Sequence, residues 1–489
     1  MSKKYLSKST FIKGVQCEKA LYLHKYHPEL ADEISEQQRA IFQTGTDVGV
    51  LAQKLYPGGV DASPKDYKDY FKSFQHTQQL IDNGVEVIYE AGFCYNNVIC
   101  FVDILVKTEI GWHAYEVKSS TRISETYYLD ASLQYYIMKS SGLNIIDISI
   151  THINNKYVRQ KDLDLNRLFV STSVLERSIH NFEYINKKLI ELHDTLSLNK
   201  VPEKDIGTHC TSPYQCNFKG ECWNHIPEYS IFDISRLNSE TKWGLYNSRY
   251  INIEDIPVET KLSNNQKIEI EAYKQNNNII FKNEIREFVS NLSENIYHLD
   301  FETYQMAIPE FNGVKPFQQM PFQYSAHYEN GQDIEHFEFL ADPFKDPREY
   351  FVKSLIDDMK NEGDILVYNI AFERGRLNEL IALYPQYASD LESIVKRMKD
   401  LMIPFKNKWY YTPSMKGSYS IKSVLPSLCP DFSYKNLEIN NGSLASSSYV
   451  LIKSLNDLDK VKKIKYDLLE YCKMDTLAMV KILDVLKKI

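Results

Sequence analysis

The stretch Asn295-Ile296-Tyr297-His298-Leu299-Asp300-Phe301-Glu302-Thr303 decides how the second half of this chain is read. It predicts a strand over Asn295–Glu302. On a strand, alternate side chains share a face, so Asp300 and Glu302 can grip one divalent cation. About 170 residues later comes Tyr471-x3-Asp475, whose i, i+4 spacing puts both side chains on one helix face. There Asp475 is placed to bind metal and the Tyr471 phenol to orient a water. Two cations about 4 Å apart, as in phosphodiester cleavage, need three or four carboxylates converging from different elements. A further acid is expected at the end of the strand Asp364–Tyr368 or in the turn after it, Tyr368-Asn369-Ile370-Ala371-Phe372-Glu373-Arg374, where Glu373 is the natural candidate.

Working outward, Pro321–Tyr328 and His336–Phe339 read as antiparallel neighbours of the Asp300 strand. Asp364–Tyr368 reads as a buried strand followed by a helix over Phe372–Leu383, and Leu455–Lys488 as one long amphipathic helix. The first 228 residues have a different texture. Helical segments around Thr10–Lys25 and Gln37–Lys54 precede strands at Val85–Phe93, Val98–Lys107 and Trp112–Lys118, then a helix near Leu129–Lys139 and a strand near Ile145–Ile153. This is an α/β core with helical decoration. Between the two lies a polar, helical stretch, about 229–290, expected to be a connector.

With 489 residues, 43% hydrophobic and 25% charged, the chain reads as soluble, globular and multidomain. No apolar run approaches a membrane span, and Met1-Ser2-Lys3-Lys4-Tyr5 lacks the apolar core of a signal peptide, so the expected location is cytoplasmic. A net charge of -8 argues against a protein that coats nucleic acid through a basic surface. It leaves open a site where clustered carboxylates lower the pI while local Lys and Arg grip phosphates.

A second constellation sits in the first unit. Asp103 ends the run Ile99-Cys100-Phe101-Val102-Asp103, and the next strand carries Glu116-Val117-Lys118, with Glu116 and Lys118 on one face. Together they offer acids for a divalent metal and an ammonium to polarise a phosphate. Of eight cysteines, Cys94, Cys100, Cys429 and Cys472 read as small core residues, whereas Cys210, Cys216 and Cys222 fall in a turn-rich stretch.

The C-terminal unit resembles the DEDD family of 3′-5′ exonucleases, of ribonuclease H-like fold. Asp300-Phe301-Glu302-Thr303 matches its first motif, Asn369-x2-Phe372-Glu373 its second and Tyr471-x3-Asp475 its third. Gly417–Leu425 resembles the helix between the second and third. The family has Asp where Glu373 stands. Asp400 is the fallback ligand, expected instead to be a strand-end structural residue. The resemblance implies a mixed sheet with flanking helices and Mg2+ or Mn2+ as cofactor.

The N-terminal unit resembles the RecB-like branch of the PD-(D/E)XK nucleases, of restriction-endonuclease-like fold, through Asp103 and Glu116-Val117-Lys118. Gln134 matches the branch's helix Gln, and Glu90 is an accessory acid. Two features depart: Met138 stands where a Tyr is usual, and Gly45-x3-Gly49 where the upstream metal-binding His is usual. Some members staple their two ends with a 4Fe-4S cluster, which implies ligation by Cys17, Cys210, Cys216 and Cys222, with zinc as the competitor. The domains expected are thus 1–228, a connector over 229–290, and 291–489. The expected activity is metal-dependent cleavage of DNA, more than RNA, at single-stranded 3′ ends. The alternatives are a DNA-end-binding scaffold with degenerate sites, or a ribonuclease.

Overall fold

The computed structural model describes residues 5–64, 70–331, 333–360 and 362–489. The chain divides into two compact units, 1–225 with 306–318, and 226–305 with 319–489. Both are mixed α/β.

Among its described residues the first unit holds seven strands: β1 (Leu6–Ser7), β2 (Val60–Asp61), β3 (Val87–Tyr95), β4 (Val98–Lys107), β5 (Trp112–Lys118), β6 (Ile145–Ile153) and β7 (Phe169–Ser173). Their order is β2-β3-β4-β5-β6-β7, with β1 paired in parallel to the start of β4. Asn96 and Asn97 both adopt positive φ, 44° and 61°, so a two-residue turn can close the β3–β4 hairpin without splaying it. β5 and β6 run parallel and need a crossover, which the helix Glu125–Ser140 makes. Every residue of that helix from Asp130 to Met138 is buried, so it forms the inner layer between the sheet and the helices Leu175–His180 and Phe182–Leu196. It starts earlier than the apolar pattern suggested because Ser124 accepts from the Tyr127 N–H and caps it. The Thr10–Lys25 region is two helices, Lys8–Gln16 and Glu18–Tyr26, split by extended backbone at Cys17.

In the second unit β8 (Ile279–Ile280) precedes β9 (Ile296–Tyr304), β10 (Met320–Asn330), β11 (Asp333–Leu340), β12 (Asp364–Val367), β13 (Met398–Asp400) and β14 (Tyr410–Tyr411). The main sheet runs β11-β10-β9-β12-β13. Of the two strands expected beside the Asp300 strand, β10 is its antiparallel neighbour, whereas β11 pairs with β10. The other flank of β9 takes β12 in parallel. The helix Leu458–Lys487 lies against β9 and β10.

The stretch 229–290 contains the helices Ser239–Asn247, Asn264–Gln275 and Lys282–Ser290 and falls within this second unit. Three ties fasten it there. β8 pairs with β14, the Tyr229 and Tyr411 hydroxyls meet at 2.9 Å, and Lys408 Nζ sits 2.7 Å from Glu269 Oε1 with both side chains buried. Among the described residues no helix is long and apolar enough to cross a membrane.

Removing one member of a buried ion pair strands the other's charge, at a cost of about 3–5 kcal/mol. Lys408→Met is therefore expected to destabilise the second unit by that amount in urea unfolding, and Lys408→Met with Glu269→Leu to recover most of it. Equal stability of the single variant and the parent would show that the pair does not anchor the stretch.

Candidate functional site

The register of β9 on β10 places Ser325 opposite Asp300 and Gln323 opposite Glu302. Both partners reach the C-terminal helix. Gln323 Nε2 donates to the Leu468 carbonyl at 2.7 Å, and the Ser325 and Thr476 hydroxyls meet at 2.8 Å. These bonds fix the rotation of the helix so that Asp475, beside Thr476, faces the strand. The result is a cluster in which carboxylate oxygens of Asp300, Glu302 and Asp475 all lie within 4.8 Å of one another.

Glu302 and Asp475 are 8% and 5% exposed. Burial, then the charges of Asp475 and Glu302, pushes the Asp300 carboxyl well above its ordinary range. Burial, then the Asp475 charge, raises Glu302 to about 8. Asp475 is also raised by burial, and this is partly offset by Tyr434, whose hydroxyl donates to Asp475 Oδ1 at 2.7 Å. Burial of Glu302 and Asp475 and the mutual repulsion of all three acids disfavour full ionisation unless a cation joins them. The helix Gly442–Leu451 begins against the same carboxylate: a Cβ on Gly442 would stand 3.3 Å from Glu302 Oε2.

Tyr471 and Asp475 share the expected helix face. Lys422 Nζ donates to the Tyr471 hydroxyl at 3.0 Å and to the Asn440 carbonyl at 2.7 Å, and lies 4.8 Å from the Tyr471 ring centroid. Glu373 sits in the first turn of the helix Ile370–Leu383, 2% exposed. It stays outside the 4.8 Å group. Burial and then the Asp300 charge hold its carboxyl well above the usual range, and its Oε2 has no hydrogen-bond partner. Asp400 has a structural role: its Oδ1 accepts from the N–H groups of Asn369 at 3.1 Å and Met402 at 2.9 Å. These bonds hold the turn in which Asn369 takes a left-handed conformation, φ 89°, and so aim Glu373.

In the first unit Glu116, Lys118 and Asp103 also come together. Lys118 Nζ donates to Glu116 Oε1 at 2.6 Å, and Asp103 Oδ2 accepts from the Val117 N–H. Gln134 Nε2 takes Glu116 Oε2 at 2.6 Å, and Asp130, one helical turn earlier, takes Lys118. A second ammonium is present: Lys8 Nζ lies 2.6 Å from Glu116 Oε1. β1 pairs with the start of β4, and Lys8, the first residue of the helix that follows it, reaches Glu116 from there. Burial would raise the Glu116 carboxyl, but Lys118 and Lys8 together pull it below the usual range. Burial raises Glu90 to about 7. Both oxygens of Glu116 are thus engaged by protein donors, and Met138 is buried in the core.

Cys17, Cys210, Cys216 and Cys222 line one small pocket with Phe218. Among the described residues the three-ligand group closed within 4.8 Å is the acidic one, so no three of these sulfurs come that close together. The pocket is tied to the helix that carries Lys8. Lys13 Nζ donates to Asn217 Oδ1 at 2.6 Å, and Gln16 Nε2 donates to the carbonyls of His209 and Tyr214, each at 2.7 Å.

Four side chains that contact these candidate residues carry no expectation from the sequence. Asp130 was detectable, since Asp130-x3-Gln134 repeats the i, i+4 signature used for Tyr471 and Asp475. Lys422 lay inside a stretch already singled out, but nothing local distinguishes it from other lysines. Lys8 and Tyr434 carry no sequence signal, because each meets its partner only through tertiary contact.

Residues 297–420 match a family described as Domain of unknown function (DUF2779). The match includes Asp300, Glu302 and Glu373 and ends before Lys422, Tyr471 and Asp475. The chain is also similar to Uncharacterized protein UU173 of Ureaplasma parvum serovar 3, with 28% identity over 241 residues covering 44% of this chain. The aligned part spans 34% of that relative's length.

A carboxyl that titrates near 8 must lose its proton before it can ligate a metal. Below that pH, binding releases the Glu302 proton; above it, Glu302 releases none. Mn2+ affinity is therefore expected to rise with pH, by up to about tenfold per unit for each proton displaced, with the Glu302 contribution levelling off above about 8. Titration calorimetry at pH 6.5, 7.5 and 8.5 checks this. Affinity that does not change over that range would remove Glu302 from the ligand set.

Proposed function

We propose that the protein is a metal-dependent nuclease whose chemistry resides in the second unit. The observation that carries this reading is the convergence of Asp300, Glu302 and Asp475 within 4.8 Å, from a central strand and the C-terminal helix. The fit to divalent cations is supported by the buried, unpartnered Oε2 of Glu373 beside this trio, an oxygen whose desolvation nothing else offsets. Asp300, Glu302 and Asp475 would hold Mg2+ or Mn2+, with Glu373 contributing a fourth carboxylate from across Asp300. When bound, such ions supply charge neutralisation at a phosphodiester and lower the pKa of water.

The chain's own residues do the rest. Tyr471 positions the attacking water through its hydroxyl, itself held by Lys422. Lys422 places a positive charge next to the acids, where it can meet a phosphate oxygen. Tyr434 keeps Asp475 oriented through its hydrogen bond. A ribonuclease H-like sheet and 3′-5′ polarity on single-stranded DNA ends belong to the same reading.

At the first unit, the RecB-like resemblance is supported by the Asp103, Glu116, Lys118 and Gln134 arrangement. The residues do not fit a metal as arranged, because Lys8 and Lys118 already neutralise Glu116 and a cation there would have to displace Lys8. We assign no catalytic step to this site. The four cysteines would together supply the thiolates of an iron-sulfur cluster, with zinc, at Zn–S about 2.3 Å, as the competing occupant. A cluster bound there would lock the start of the unit to its end.

The test is digestion of 5′-labelled single-stranded DNA, with matched RNA in parallel, in Mg2+ or Mn2+. Asp300→Ala, Glu302→Ala and Asp475→Ala are each expected to reduce cutting by more than about 100-fold, Tyr471→Phe by less, and Lys118→Ala hardly at all. Product ladders should shorten from the 3′ end. Undiminished cutting by Asp300→Ala would overturn the reading, and loss of all cutting in Lys118→Ala would move the chemistry to the first site.

For the cysteines, anaerobically purified protein is expected to contain iron and sulfide and to be brown, with the colour lost in Cys216→Ser. Stoichiometric zinc without iron would overturn the cluster.

A further inference from the structure

The second unit contains an open cavity of about 1080 Å³ that the acidic trio does not use. Arg236, Lys261 and Lys406 line it against a single acid, Glu240, in a chain whose net charge is -8. Tyr419 adds an aromatic face. Two helices, Ser239–Asn247 and Asn264–Gln275, begin at its wall, so the positive ends of both peptide dipoles add to the field of the three cations.

The cavity is built rather than left over between loops. Gln266 Nε2 donates to the Ser235 carbonyl at 3.1 Å, and Asn265 Nδ2 to the Lys406 carbonyl at 3.2 Å. Arg236 donates to the Tyr419 hydroxyl at 2.9 Å while its guanidinium lies 5.8 Å from the ring centroid. Beneath the floor, Glu269 accepts from the Ser235 N–H at 3.0 Å and pairs with buried Lys408.

The cavity is also close to the proposed chemistry. Tyr419 lies three residues before Lys422, so their Cα atoms are at most about 11 Å apart at about 3.8 Å per residue. The hydroxyl of Tyr368, just before the Glu373 turn, donates to the Tyr419 carbonyl at 2.8 Å.

We propose that this cavity binds the sugar-phosphate backbone of a single-stranded polynucleotide a few nucleotides away from the end that enters the acidic site. Arg236, Lys261 and Lys406 take phosphates, and the Tyr419 ring, with Arg236 over it, takes a base. Charge and stacking are what a sequence-tolerant single-strand groove needs. The proposal rests on reading the acidic trio as a nuclease site, and two separate measurements tell the failure of each apart.

The first measurement is anisotropy of fluorescein-labelled (dT)20, with (rU)20 in parallel, on the full chain in EDTA at several salt concentrations. The variant Arg236→Gln/Lys261→Gln/Lys406→Gln is expected to lose about 10- to 100-fold in affinity. Its log affinity against log salt should flatten by about 2, at about 0.7 for each lost phosphate contact on a single strand. Tyr419→Ala is expected to lose about fivefold or more, and Tyr419→Phe to keep most of the parent's affinity. The second measurement is Mn2+-dependent hydrolysis of the p-nitrophenyl ester of thymidine 5′-monophosphate, which reaches the acidic site alone. There the triple variant is expected to match the parent while its KM for the oligonucleotide rises.

Parent-like affinity and salt slope in the triple variant would overturn the proposal, as would a parent that does not bind either oligonucleotide. Equal loss of oligonucleotide binding and ester hydrolysis would also overturn it, by making the cavity a structural support. A parent that binds through the cavity but hydrolyses neither substrate would sustain the binding site and defeat the nuclease reading.

Discussion

Three carboxylates within 4.8 Å of one another, Glu302 and Asp475 buried and Asp300 half-buried, form the constraint around which the second unit is organised. Each would rather be hydrated, and each raises the proton affinity of the others. The surrounding structure keeps them in place despite that repulsion. Gln323 and Ser325 pin the C-terminal helix onto the sheet, Tyr434 holds Asp475, and Gly442 lets a helix end approach Glu302 where a side chain would be crowded. Lys422 supplies one positive charge to three or four acids. On the proposed reading, a divalent cation would offset that deficit.

The first unit solves a similar problem in the opposite way. Glu116 and Asp130 are buried and Asp103 half-buried, but Lys8 and Lys118 sit among them, and Gln134 closes the remaining oxygen of Glu116. Two ammoniums are thus set against three acids inside the protein. The helix that brings Lys8 also contacts the cysteine loop through Lys13 and Gln16. The same helix thus touches both the cysteine loop and, through Lys8, Glu116. The stretch 226–290 likewise contributes more than a link: it supplies Glu269 to a buried ion pair and two helix starts to the cavity wall.

Most strands and helices could be read locally, because alternation and capping are properties of neighbouring residues. The strands over Val98–Lys107, Trp112–Lys118 and Ile145–Ile153 stand at the bounds the sequence suggested. The same local rules put Asp300 with Glu302, Glu116 with Lys118, and Tyr471 with Asp475 on common faces. Two elements depart from what the local pattern suggests. The helix Lys8–Gln16 ends at Cys17 rather than running on, and β11 pairs with β10 rather than β9. A polar segment with few core candidates folds into the second unit because its buried polar groups find partners around residues 408–411.

By itself, then, the sequence determined the α/β class, the acids available and which of them share a strand or helix face, since periods of two and 3.6 residues are set by backbone geometry alone. Only the tertiary structure decided which faces meet. It brought Asp475 to Asp300 across some 170 residues, left Glu373 beside the trio without a hydrogen-bond partner for its Oε2, gave Asp400 to the Asn369 turn and placed Lys8 on Glu116. The reason is that charge balance in a buried site depends on distances between elements, which no local pattern encodes.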